Sequence, residues 1–258
     1  MNIKILLFLL ITLSNTIEAT DYGFIIGIGR YKDKSVPRLN KVNSDINTYK
    51  KILKRIGVRN IYTLKNQNAT KKRILNHLSY ISKKIKKGDN FFMFYSGHGV
   101  SLRDEAYSSK LQEAGLTNAM RNSDAILPYD FDSQNIARTI ILGKELRKYL
   151  KVIDKKVAKS LIVFDACFSK NSIKNMKPKH RINRTPNILT KNKSYPYKNI
   201  VYIASSIIEA KPGKFSPILD SCLTKQTPLY QIKQCINRKV EKSMQIPAIF
   251  SNRNDIKF

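Results

Sequence analysis

Acidic residues are scarce in this chain of 258 residues: 18 Asp plus Glu stand against 48 Lys plus Arg, a formal net charge of +30. No apolar run reaches the roughly 18 residues that a bilayer-spanning helix needs, which excludes a polytopic membrane protein. There is no internal repeat and no low-complexity tract. Carboxylates are neither densely clustered nor spaced like an EF-hand, so no metal and no other cofactor is assigned, calcium included. Histidine and cysteine number only three each, so any chemistry resting on them can be traced residue by residue. What remains, 42% hydrophobic and 26% charged residues, is the composition of a globular chain, long enough for one or two domains with a buried core.

The excess of positive charge invites a nucleic-acid or anionic-surface partner. A duller origin competes with it. Lys, Ile and Asn number 35, 33 and 22, and all three have A/T-rich codons. Codon bias would produce the same composition, so the charge bears on solubility and steering before it names a partner.

The first nineteen residues read as a secretory signal peptide. Lys4 supplies a short positive region, residues 5–13 (ILLFLLITL) an apolar stretch, and Ala19 a small residue before the cut. An uncleaved anchor is the alternative. Residues 20–258 are then an exported single domain, secreted or periplasmic, in which cysteine pairing is informative. Cys222 and Cys235 lie close in sequence on two adjacent expected helices, where a disulfide competes with two unpaired buried thiols. Cys167 is the odd one out.

Apolar runs rich in Ile, Val, Phe and Tyr predict strands at 23–28, 61–64, 91–95, 161–166, 200–204 and, more weakly, 247–250. Apolar residues at helical spacing predict helices after Ser44, taken as an N-cap, and after Thr70, the second ending at Gly88. Further helices are expected near Gly143, at 216–223 and at 229–243. Strands buried on both faces and alternating with amphipathic helices imply an α/β sandwich around a mainly parallel sheet of about six strands. Two stretches break the rhythm. Residues 101–132 are long and polar. Residues 169–199 hold nine Lys or Arg, no Asp or Glu and three prolines, and read as an exposed mobile loop.

Open parallel sheets place their sites beyond the carboxyl ends of strands. One expected strand runs into Ser96-Gly97-His98-Gly99 and another into Cys167. On neighbouring strands, an imidazole and a thiol there would come within catalytic reach. The imidazole would act as base for the thiol and later protonate a leaving amine. The glycines permit a tight turn, and the backbone N–H groups of Gly99 and Cys167 are candidate oxyanion donors. Taken singly, Cys167 could be a small core residue and His98 a turn residue; it is the matched pair that points to chemistry. His77, in a helix, and His180, in the basic loop, have no such surroundings.

The motifs YSGHG (95–99) and DACFS (165–169) resemble the two catalytic signatures of caspase-like cysteine peptidases, closest to the bacterial and metacaspase branch. In order along the chain, GFIIGIGRYKD (23–33), LNKVNSD (39–45), ILPYD (126–130), ASSIIEA (204–210), GKFSPIL (213–219) and QIPAIF (245–250) are similar to further landmarks of that family. The resemblance implies a caspase-like three-layer sandwich, His98 as general base and acid, and Cys167 as a nucleophile forming a thioester. It also implies a pocket for the residue before the scissile bond, at Asp45, Ser96 and Asp165. Two carboxylates in a partly buried slot would favour Arg or Lys. Helix capping is the competing role for Asp45, and backbone bonding at a strand end for Asp165. Val42 stands where the family has a small Cys.

The expected function is thus an exported cysteine endopeptidase acting on proteins or peptides with basic residues. Cleavage of its own basic loop is an expectation set against an inert solvated loop. A catalytically silent caspase-like binding module and a binder of nucleic acid or anionic surfaces are the rival readings.

Overall fold

The computed structural model describes residues 19–102, 124–166, 168, 188–189, 195–206, 212–240 and 247–258. Nine strands and six helices are described. The central strands are β1 (Asp21–Gly27), β2 (Asn60–Lys65), β3 (Asn90–Ser96), β7 (Lys159–Asp165), β8 (Ile200–Ala204) and β9 (Ala248–Phe250), in the order β2-β1-β3-β7-β8-β9. All neighbours are parallel except β8 and β9. Three short strands, β4 (Gly99–Ser101), β5 (Asp124–Ile126) and β6 (Ile141–Leu142), form a separate antiparallel sheet. The helices are α1 (Val42–Arg55), α2 (Lys71–Lys84), α3 (Ile136–Thr139), α4 (Gly143–Asp154), α5 (Phe215–Cys222) and α6 (Leu229–Val240).

Period-two alternation sorts the strand side chains onto two buried faces. Phe24, Ile26, Met93, Tyr95, Ile162 and Phe164 face one side, where α2 and α4 pack Ile74, Leu78, Leu146 and Leu150. Ile25, Phe92, Phe94, Leu161 and Val163 face the other, against Ile46, Tyr49 and Leu53 of α1, Leu219 of α5 and Ile232 of α6. This is the three-layer α/β sandwich expected from the run of apolar strands. Burying each such side chain contributes about 1.5–3 kcal/mol.

Thr70 caps α2, its hydroxyl accepting the Arg73 N–H at 3.3 Å, and α2 ends at Lys84, four residues before Gly88. Ser44 does not cap α1. The helix begins two residues earlier, at Val42, with Lys41 as its N-cap residue and the Asp45 N–H already bonded to the Lys41 carbonyl at 3.1 Å. Val42 is buried in the apolar layer under α1. Arg55 at the end of α1 grips α5: its guanidinium donates to Asp220 Oδ1 and to the Asp220 and Leu223 carbonyls, each at 2.6 Å. Cys222 of α5 and Cys235 of α6 form a disulfide.

The basic stretch 169–199 is not wholly exposed. Ile188, Leu189 and Tyr197 are buried in the layer containing α2 and α4, and the Ile188 carbonyl accepts from Arg147 Nη1 at 3.0 Å. Isolated apolar residues in a polar run leave no periodic trace, which is why the sequence reads there as solvated. Residues 169–187 and 190–194 of that loop, residues 1–18 of the signal segment and residues 103–123 lie outside the described residues.

Candidate active site

Strands β3 and β7 are neighbours, and their carboxyl ends are level: Ser96 lies opposite Asp165. The ladder continues one step further, with the Gly97 N–H donating to the Asp165 carbonyl at 3.4 Å. His98 and Cys167 therefore each follow two positions beyond one rung of adjacent parallel strands. Cys167 itself lies outside the described residues; Ala166 and Phe168, on either side of it, are buried.

His98 is held by four hydrogen bonds. Its N–H donates to Tyr31 Oη at 2.8 Å, and its carbonyl accepts from Tyr95 Oη at 2.7 Å and from the Leu127 N–H at 3.0 Å. Nε2 lies 2.8 Å from the Pro37 carbonyl. A carbonyl can only accept, so Nε2 carries the proton and Nδ1 bears the lone pair in the neutral ring. The Tyr31 ring lies against the imidazole, with centroids 5.4 Å apart. Burial lowers the His98 pKa below the ordinary histidine value, and the bond to Pro37 offsets this in part. Gly97 is required by close approach: a Cβ there would sit 2.6 Å from Tyr95 Oη and 3.1 Å from Tyr31 Oη. Gly99 opens β4, opposite Ile126.

The three expected pocket residues do come together. Asp45, on the first turn of α1, accepts from Ser216 Oγ at 2.6 Å and the Gly213 N–H at 3.0 Å through Oδ1, and from Ser96 Oγ at 2.8 Å through Oδ2. These bonds lead away from the α1 terminus, so its carboxylate is not a helix cap. Asp165 accepts from Tyr49 Oη at 3.2 Å through Oδ2; its Oδ1 meets no donor at hydrogen-bond geometry among the described residues, although the nearby Ser205 hydroxyl still works to lower its pKa. Burial first, and the Asp45 charge second, push Asp165 up to about 7. Burial also raises Asp45, against the bonds from Ser216, Ser96 and Gly213. Asp45 thus holds the negative charge, and Asp165 binds a proton readily.

One expectation is corrected. The carboxylates do not line a partly buried slot: Asp45 is 0% and Asp165 2% exposed. Strand ends roofed by α1 and α5 sit deeper than their position at a sheet margin suggests. Sequence reasoning also missed the hydroxyls of Tyr31, Tyr49 and Tyr95 and the contributions of Pro37, Gly213 and Ser216. Pro37 carried no signal at all, whereas Tyr31, Gly213 and Ser216 fall inside fragments that resemble family landmarks.

A mainly parallel six-stranded sandwich whose adjacent strand ends lead into His98 and Cys167 defines a caspase-like peptidase domain. The chain belongs to the Caspase domain family, whose profile matches residues 21–258. It is 31% identical over 108 residues to Metacaspase-1 of Plasmodium falciparum, a match covering 42% of this chain and 16% of that protein, so the chain accounts for only a small part of the relative's length. Among solved structures, caspase-1 from Spodoptera frugiperda matches with a TM-score of 0.59 at 13% identity, over 90% of this chain and 86% of that one. Protein GSU0716 from Geobacter sulfurreducens matches with a TM-score of 0.58 at 17% identity, over 90% and 92%. At such identities the structural matches speak for the fold alone.

Proposed function

We propose that the chain is an exported cysteine endopeptidase that cuts after Arg or Lys, with Cys167 as nucleophile and His98 as base and acid. The observation that carries this reading is the register of β3 and β7, Ser96 opposite Asp165, which leaves both reactive residues equally far beyond one rung. The Nδ1 lone pair of neutral His98 takes the thiol proton as sulfur attacks the carbonyl carbon. The imidazolium then gives that proton to the leaving amine as the C–N bond breaks. Water cleaves the resulting thioester and restores the thiol. The oxyanion is left to the backbone N–H groups of Gly99 and Cys167, the candidate donors beyond the two strand ends.

Basic specificity is supported by the acid pair. Among the described residues Asp165 Oδ1 meets no donor at hydrogen-bond geometry, and a guanidinium or ammonium would supply one as a charge-assisted bond. The side chain would have to open the cover over the two carboxylates. An enzyme with this preference finds nine candidate bonds in its own 169–199 stretch.

Hydrolysis of peptides that differ only in Arg, Lys or Asp before the cut tests the proposal, with His98→Ala, Cys167→Ala and an Arg-derived thiol-reactive probe alongside. Arg and Lys peptides are expected to be cut and Asp peptides spared. Labelling that survives Cys167→Ala overturns the nucleophile assignment, and preference for Asp overturns the acidic pocket. A folded wild-type protein that hydrolyses none of the peptides favours the silent binding module.

A further inference from the structure

On the β1–β2 side of His98 lies a groove whose charge is opposite to that of the acid pair. A cavity of about 430 Å³ is lined by Arg30, Lys34 and Arg38 together with Tyr31 and Pro37, the two residues that hold His98. A second, of about 350 Å³, shares Arg30 and adds Lys65. A third joins Arg30 to Arg38. All four cations are exposed, and none has an acidic partner among the described residues. One acid, Asp33, lines the first cavity with three of these cations and stays charged; its Oδ1 accepts the Ser35 N–H at 2.8 Å and its Oδ2 the Ser133 N–H at 2.7 Å, which leaves the cations in excess there.

The groove has a fixed floor. Asn66 adopts a positive φ of 43° and turns its Oδ1 onto the N–H groups of Gly29 at 3.0 Å and Arg30 at 3.2 Å. This ties the end of β1 to the end of β2 and holds the Arg30 backbone at the rim.

Strand order gives the groove a direction. Across the sheet run β7, which leads into Cys167, then β3, which leads into His98, then β1 with Arg30, then β2 with Lys65. If His98 protonates the leaving amine, the leaving segment departs past His98 over β1 and β2, while the acyl part stays towards β7 and β8. We propose that the groove of Arg30, Lys34, Arg38 and Lys65 binds acidic side chains just after the scissile bond, making the substrate a basic residue followed by acidic ones. This rests on the peptidase reading above. Arg30 and Arg38 suit carboxylates because each can bond one through two parallel N–H groups. The chain's own 169–199 stretch has no acid, so it is a poor leaving segment and is cut more slowly than such a substrate.

The test uses peptides with one Arg before the cut and Glu-Glu, Gln-Gln or Lys-Lys after it. It compares kcat/KM for the wild type, Arg30→Glu/Arg38→Glu and, as a control for overall charge, Lys144→Glu/Lys151→Glu on α4. The wild type is expected to favour Glu-Glu over Lys-Lys by about tenfold at low salt, the size of two exposed ion pairs, and by less as salt rises. The groove variant should reverse the ratio and the α4 variant keep it. Cleavage with a ratio near one, or a ratio shifted equally by both variants, overturns the groove while leaving the peptidase reading intact. Anisotropy with a labelled Glu-rich peptide on Cys167→Ala separates the remaining cases. Binding lost only in the groove variant supports the site. Binding without any cleavage by the wild type overturns the leaving-side assignment together with the peptidase reading. Equal displacement by a short duplex DNA would make the groove a general polyanion site and overturn the peptide assignment.

Discussion

The Tyr49 hydroxyl donates to Asp165 Oδ2 at 3.2 Å, and among the described residues no donor meets the other oxygen of that carboxyl at hydrogen-bond geometry. A buried carboxyl so poorly supplied is better neutral than charged. Its folded pKa, about 7, stands above the ordinary aspartate value. Between those two pH values the folded state binds more protons than the unfolded one, so stability falls as pH rises from about 4 to 7 and levels off above. Asp165→Asn should flatten this slope and gain on the order of a few kcal/mol relative to wild type near pH 8. Urea midpoints measured from pH 4 to 8 check it; equal slopes for the two proteins would refute it.

Asp45 should behave in the opposite way. Ser96, Ser216 and the Gly213 N–H all point at it, so Asp45→Ala strands three donors, two of them buried, and removes the contact that ties β3 and α5 to α1. The expected loss is about 2–4 kcal/mol, at the upper end for a single polar truncation. The difference in sign between Asp45→Ala and Asp165→Asn is the decisive reading in a denaturation series near pH 8.

His98 carries the pH dependence of the proposed reaction. Burial lowers its pKa, so the ring stays neutral, with a basic Nδ1, below the pH at which an exposed histidine protonates. The acid limb of kcat/KM against pH should therefore lie below about 6.5. A limb at or above that value would show that His98 is not buried in the working enzyme, or that it is not the titrating group.

How much of this was legible follows from where each signal resides. Strands such as 91–95 and 161–166 are buried on both faces, so apolar runs mark them directly, and their neighbourhood follows once the sheet is parallel. The reactive residues stand out because they follow those runs at once. Tyr31, Tyr49 and Tyr95 were opaque: periodicity counts them as apolar, while their hydroxyls meet partners 67, 116 and 3 residues away. The link from Asp45 to Ser216 spans 171 residues, beyond any local pattern. The start of α1 was misplaced because Ser44 is a good cap by type, whereas the backbone turns helical two residues earlier under the packing of Val42.

The disulfide makes a prediction that needs no activity. Cys222 and Cys235 are bonded, which leaves Cys167 as the one remaining cysteine. Denatured, unreduced protein should titrate one thiol, and three after reduction. Closing a loop with a separation of 13 residues should contribute about 2–3 kcal/mol, read as a lower urea midpoint in reductant or in Cys222→Ala/Cys235→Ala. Three thiols before reduction would contradict the pairing.

Tyr31→Phe isolates the positioning of His98. The substitution keeps the ring against the imidazole and removes only the oxygen that accepts the His98 N–H at 2.8 Å. With the backbone donor unpaired, the turn at 97–98 is free to shift, and Nδ1 with it. Stability should fall by about 1 kcal/mol, the usual cost of one lost hydrogen bond. Because orientation acts on the transition state more than on binding, kcat should fall about tenfold with KM little changed. Gly97→Ala pushes on the same turn from the other side, since the new methyl group meets Tyr95 Oη and Tyr31 Oη. It should lower kcat at least as much, and adding Tyr31→Phe to it should cost less than the two single effects together, because both act through one displaced backbone. Strictly additive losses would mean that the tyrosine hydroxyl and the glycine support His98 by separate routes.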